Sequence, residues 1–235
     1  MKTNSAVLIV VLFLACFRCG LSQGFVNLNF ESATLSGYDA GTGNIPTSSA
    51  MPGWSAYFFY PGGTNATSLI AYNDVSLGSA FIALIDTNSI FTPLPLQGRY
   101  SVLLMGSTAT APTVAAIGQT GLVPANALSL LFYTSFDSNI QLAFNGQPIP
   151  LVQTGSTATY AIRAGNISTF AGQTGQLLFS AYPNSGSIYG YGSGLIDNIQ
   201  FSSAPIPEPS ALALSALGGL ALVLVKNRQR KPVSA

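Results

Sequence analysis

Between residues 24 and 204 the chain has no histidine, no cysteine and no lysine. Without those side chains there is no Ser-His-Asp triad, no thiolate nucleophile and no ordinary zinc site. The only cations in that stretch are Arg99 and Arg163. They face Glu31, Asp39, Asp74, Asp86, Asp137 and Asp197, for a net charge of −4. Holding a nucleic-acid backbone takes several Lys or Arg contacts, so a nucleic-acid partner is excluded. Charged residues make up 6% of the chain, against roughly 25% in an ordinary soluble domain. Ser, Thr, Asn, Gln and Gly replace them, giving a surface hydrated by hydrogen bonds at low charge. Catalytic signatures are also missing. Asp86-Thr87-Asn88 lacks the glycine an aspartic protease needs at the third place, and no nucleophile elbow or phosphate-binding glycine loop occurs. The remaining catalytic chemistry is a carboxylate pair about 5–10 Å apart, as in a glycosidase. The expectation is therefore no enzyme, with a secreted glycosidase as the distant alternative.

What is present divides the 235 residues into an address, a body and a second address. Residues 1–22 read as a signal peptide. Lys2 precedes the twelve-residue apolar run Ala6–Phe17, too short to span a bilayer, and Gly20-Leu21-Ser22 offers small residues for cleavage before Gln23. Cys16 and Cys19 both fall in this piece. The body is 23–204. Residues 205–235 run from Pro207-Glu208-Pro209, through an apolar stretch at about 210–225 that reads as a single transmembrane helix, to the basic tail 226–231. The fifteen-residue apolar block Ala211–Val225 would make a helix of about 22 Å, short of the roughly 30 Å hydrocarbon core. The basic cluster should stay cytoplasmic, which places the body outside the membrane.

Pro207-Glu208-Pro209, a short apolar helix and a terminal basic cluster, in that order, resemble the PEP-CTERM sorting signal of Gram-negative bacteria. The resemblance implies recognition by an exosortase-type transpeptidase, removal of the tail near the motif, and a bacterium that makes exopolysaccharide. Pro207, Glu208 and Pro209 are then the sorting motif, and Glu208 is recognised by the processing enzyme rather than catalytic. A plain C-terminal anchor is the alternative.

The body shows no long helical period. Turn residues recur every eight to twelve positions, as in an all-β antiparallel sandwich or barrel. Val26, Leu28 and Phe30 alternate with Asn27 and Asn29, the pattern of a half-buried first strand. Ala80–Ile85 and Tyr100–Met105 are apolar on both parities. Ile140, Leu142 and Phe144 lead into Asn145-Gly146, the best hairpin turn in the chain. Gln176–Tyr182 and Leu195–Phe201 close the set. The order of Asn29-Phe30-Glu31, Pro52-Gly53-Trp54, Gly98–Val102, Val123–Tyr133 and Gly194–Ile199 resembles the galactose-binding-like jelly rolls, which include many carbohydrate-binding modules. That resemblance implies a single jelly-roll β-sandwich over the body.

Asp197 shares parity with Leu195, Ile199 and Phe201, so it should point inward. A buried carboxylate must be hydrogen-bonded, paired or metal-bound. The jelly-roll resemblance implies a structural Ca2+ held by Asp197 and the first-strand acid Glu31; capping of backbone N–H groups is the other reading. Trp54 opens an aromatic run with Tyr57, Phe58, Phe59 and Tyr60, and Tyr189 and Tyr191 lie in a Gly-rich stretch. Sugars stack their C–H faces on such rings, so Trp54, Tyr189 and Tyr191 are candidate ligand contacts; packing in a core or loop is their alternative. The expected protein is exported, anchored in the inner membrane as a precursor, then sorted to the cell surface or extracellular matrix. There its partner is polysaccharide, or it is a purely structural component with no ligand.

Overall fold

The computed structural model describes residues 24–39, 43–74, 79–89, 94–109, 111–135, 138–184 and 190–206. The expected signal peptide 1–22, Tyr189, and Pro207, Glu208 and Pro209 with the rest of the tail lie outside these residues. Among the described residues no helix is long and apolar enough to cross a membrane.

Alternation of inward and outward side chains, broken by Gly, Pro and Asn turns, produces the strands β1 (Asn44–Pro46), β2 (Ser55–Tyr60), β3 (Gly63–Thr67), β4 (Leu69–Tyr72) and β5 (Phe81–Asp86). They are followed by β6 (Tyr100–Gly106), β7 (Val114–Leu122), β8 (Ser129–Thr134), β9 (Ile140–Phe144) and β10 (Gln147–Ile149). The last are β11 (Leu151–Ser156), β12 (Ala161–Asn166), β13 (Thr174–Ala181) and β14 (Gly192–Ser202). One sheet has eight strands, ordered β1-β4-β5-β6-β14-β8-β12-β11, and the other six, ordered β10-β9-β13-β7-β2-β3. Neighbours are antiparallel except β4 and β5. This is the expected two-sheet all-β architecture.

The two sheets face each other across one core. Ile82, Leu84, Val102, Leu104, Leu130 and Phe132 come from the larger sheet, and Ile117, Leu142, Phe144, Leu177 and Phe179 from the smaller. Phe132 meets Phe179 edge-on at 5.1 Å and 77°. Each such fully buried side chain stabilises the fold by roughly 1.5–3 kcal/mol. A second cluster, Phe81, Ala83, Ile85, Leu103, Met105 and Leu195, covers the opposite face of β5, β6 and β14. That cluster is why β5 and β6 are apolar on both parities. The Asn145-Gly146 turn joins β9 to β10 as expected, with φ of 48° and 76° at its two residues.

The chain departs from expectation at two places. Val26–Phe30 is not a strand. Asn27 and Phe30 take positive φ, 50° and 58°, which curls the segment and drops Phe30 into the core. The Gln119 side-chain amide stands in for a partner strand, accepting from Val26 N at 2.6 Å and donating to Val26 O at 3.0 Å. The second departure is in β14, where the register against β8 slips between Asp197 and Gln200, with Asn198 at φ 46°. The slip reverses parity. Leu195 and Asp197 face outward under the second cluster side, while Ile196 and Ile199 face the core.

Candidate functional site

β2 divides the aromatic run by its alternation. Ala56 and Phe58 turn to the core, and Tyr57 and Phe59 turn to the outer face of the six-stranded sheet. There the two rings stack, with centroids 6.1 Å apart and an interplanar angle of 25°. The register sets small side chains beside them. Ala116 lies opposite Tyr57, Ser180 opposite Ala116, and Gln141 opposite Ser180. The low floor lets the aromatic pair stand up as a ridge.

A recess lies on each side of that ridge. One, of about 590 Å³, is lined by Tyr57 and Trp54 with Thr47, Ser48, Ser55, Thr67 and Ser68. The other, of about 250 Å³, is lined by Phe59, Gln141, Pro148, Leu178, Ser180 and Tyr182. No charged side chain lines either one. Tyr182 is 45% exposed. The arrangement offers flat rings for C–H faces and neutral donors and acceptors for hydroxyls.

Of the two readings of Trp54, ligand contact and core packing, the structure shows core packing. It is 4% exposed, its indole N–H donates to Asn27 O at 3.0 Å, and its ring packs against Phe30 and Phe179. It offers no open face. Only its edge reaches the larger recess. Tyr191 is half-buried against the second apolar cluster. Trp54 and Tyr57 share the larger recess, and Tyr191 lies apart from both. Phe59 and Tyr182 become neighbours only through the β2–β7–β13 pairing. The alternation in β2 was the one sequence signal for the ridge.

Glu31 and Asp197 do meet on one feature, the turn that enters β6. Glu31 Oε1 accepts from Arg99 N at 2.8 Å and Tyr100 N at 3.1 Å. Asp197 Oδ2 accepts from Gln97 N at 3.0 Å and Ser101 Oγ at 2.7 Å, and its Oδ1 from Asn198 N at 2.6 Å. Burial pushes the Asp197 carboxyl up to about 6, even though these hydrogen bonds pull it down. Both carboxylates thus accept backbone N–H groups of this turn, the capping arrangement that was the other reading of Asp197. No group of three or more His, Cys, Asp or Glu occurs among the described residues.

A third acid, not singled out by the sequence, sits at the edge of the core. Asp86 is fully buried. It accepts from Tyr72 Oη at 2.7 Å, Asn73 Nδ2 at 2.5 Å and Asn88 N at 2.8 Å. Burial alone would raise its carboxyl, but the hydrogen bonds from Asn73, Tyr72 and Asn88 outweigh it and hold it below the usual carboxylate range. The exposed Arg99 guanidinium stands 4.0 Å away. The available signal was Asp86 two residues before Asn88, the spacing of an Asx turn.

No curated protein matches the sequence. Among solved structures, the carbohydrate-binding module TmCBM61 in complex with β-1,4-galactotriose is 14% identical, with a TM-score of 0.37 over 77% of this chain and 99% of that one. A cyclase from Fischerella sp. is 12% identical, with a TM-score of 0.37 over 76% and 94%. The enzymatically active domain of tailspike protein 4 from bacteriophage CBA120 is 13% identical, with a TM-score of 0.38 over 74% and 21%. Likenesses this distant transfer no function. The tail is another matter: residues 205–231 match the PEP-CTERM protein-sorting motif. This chain carries at its C-terminal end a PEP-CTERM protein-sorting motif, which implies an exported protein processed by an exosortase.

Proposed function

We propose that the sorted product is a non-catalytic surface or extracellular-matrix protein, a galactose-binding-like jelly roll that associates with exopolysaccharide. An N-terminal signal peptide starts its export, and the apolar block Ala211–Val225 holds the precursor in the inner membrane. The observation that carries the binding reading is the Tyr57–Phe59 stack between two uncharged recesses. An uncharged lining favours a neutral glycan, since an anionic one would call for Arg or Lys. The acids offer little to catalysis. Asp86 and Asp197 are buried, and their oxygens are engaged by N–H and O–H donors. A glycan array on the purified protein, including the host's own polysaccharide, tests the reading. Binding to a neutral glycan is expected, and silence across the array rejects it.

The second reading is a structural matrix component with no specific ligand. The burial of Trp54, the largest ring in the chain, favours it.

A further inference from the structure

Both ends of the body leave the sandwich at the same place. Gly24 bridges Leu122 at the end of β7, and Leu122 pairs with Thr174 at the start of β13. The turn after Leu122 leads directly to β8, where Ser129 Oγ donates to Ala204 O at 2.7 Å and Leu128 N to Ser202 O at 2.8 Å. Ala204 is thus pinned, and only Pro205 to Pro209 separate it from the apolar stretch. Three of those five residues are proline. An extended proline-rich segment of that length reaches roughly 15 Å.

The end in question also suits a lipid surface chemically. Residues 24–30, 122–129, 166–174 and 202–206 contain no Asp, Glu, Lys or Arg, and the charges nearest them at this end are Glu31 and the exposed Arg99 at the start of β6. Leu128 stands out of it at 39% exposure. At the opposite end, Phe59 pairs with Val114, the start of β7, and with Thr64 of β3. The ridge therefore runs away from the tether.

We propose that in the anchored precursor the sandwich stands end-on against the outer face of the bilayer, with Leu128 and the chain's exit point on the headgroups and the Phe59 end directed away. This rests on the membrane residence of the apolar block proposed above, and not on glycan binding. The geometry gives a ridge held facing outward for as long as the tail stays in the membrane.

The test uses the full chain carrying Cys16→Ser and Cys19→Ser, so that a single fluorophore can be placed by Leu128→Cys or by Thr64→Cys. The chains are reconstituted in phosphatidylethanolamine/phosphatidylglycerol vesicles containing a headgroup nitroxide. The label at 128 should be quenched several-fold more strongly than the label at 64. Inserting a Gly/Ser linker of about 20 residues, with a reach of roughly 25 Å, between Ile206 and Pro207 should erase most of that difference. Co-flotation with equal quenching at the two positions overturns the end-on stance and leaves the anchor intact. A difference that survives the linker overturns the short tether as its cause. Failure to float overturns both the stance and the membrane residence, whatever the glycan array reports.

Discussion

Ser101 Oγ donates to Asp197 Oδ2 at 2.7 Å, linking residues 96 apart in the chain beneath the turn that enters β6. Asp197 is 1% exposed, and no salt bridge to it forms among the described residues. Burial raises its carboxyl from 3.8 to about 6. A carboxyl raised on folding contributes stability that is complete below the unfolded value and is lost as pH climbs through the folded one. The fold should therefore lose roughly 2–3 kcal/mol between about pH 4 and pH 6.5 from this group. Urea unfolding at steps across that window measures the slope. Asp197→Asn should flatten it, and an unchanged slope in the variant would place the titration elsewhere.

Asp86 acts in the opposite sense. Its carboxyl is held low, so its contribution is present above the unfolded value and fades as the medium becomes more acid. Asp86→Ala strands the Tyr72 hydroxyl and the Asn73 amide in the core. The expected loss is about 3 kcal/mol or more at pH 7, read as a lower urea midpoint with an unchanged m-value. A loss under about 1 kcal/mol would mean that water replaces the carboxylate.

Trp54 is the only tryptophan, so its fluorescence reports one site. Its burial between Phe30 and Phe179 predicts blue-shifted emission that resists acrylamide until the chain unfolds. Red-shifted emission that acrylamide quenches readily in the folded protein would contradict the core placement. Trp54→Ala should cost about 3–5 kcal/mol.

On the ridge, Tyr57→Ala, Phe59→Ala and Tyr182→Ala should each weaken binding of the array's best glycan by about tenfold, some 1.4 kcal/mol. These rings are partly open, so their removal should move the unfolding midpoint far less than Trp54→Ala does. Isothermal titration against unfolding curves separates the two effects. Loss of binding only in step with loss of fold would remove the ridge as the site.

Thr134 Oγ1 is buried with no hydrogen-bond partner. Thr134→Val keeps the shape and removes the unsatisfied hydroxyl, so a gain of about 1 kcal/mol is expected in thermal unfolding. A destabilised variant would point to a bound water at the hydroxyl.

Much of the strand set was legible because alternation and turn chemistry are local. Ile140–Phe144 with Asn145-Gly146 needed nothing beyond ten neighbouring residues. Val26–Phe30 had the alternation of a strand, yet two residues at positive φ curl it and a glutamine side chain takes the partner's place. Asp197 was correctly read as buried, but a one-residue slip at Asn198 turned it to the other face. A slip of that kind leaves no mark on hydrophobic periodicity until both partner strands are known. The same holds for Trp54 against Phe59. Both are aromatic in one short stretch, and which ring is buried depends on what Phe30 and Phe179 bring from elsewhere.

By itself the sequence determined the sorting tail, the all-β class and the exclusion of histidine and cysteine chemistry, because composition, short motifs and period-two patterns are properties of adjacent residues. The tertiary structure decided which carboxylates cap which turn, which rings are open, and that both ends of the body leave at one pole. Those depend on pairing between strands far apart in the chain, where a single bulge reverses the face on which every following side chain lies.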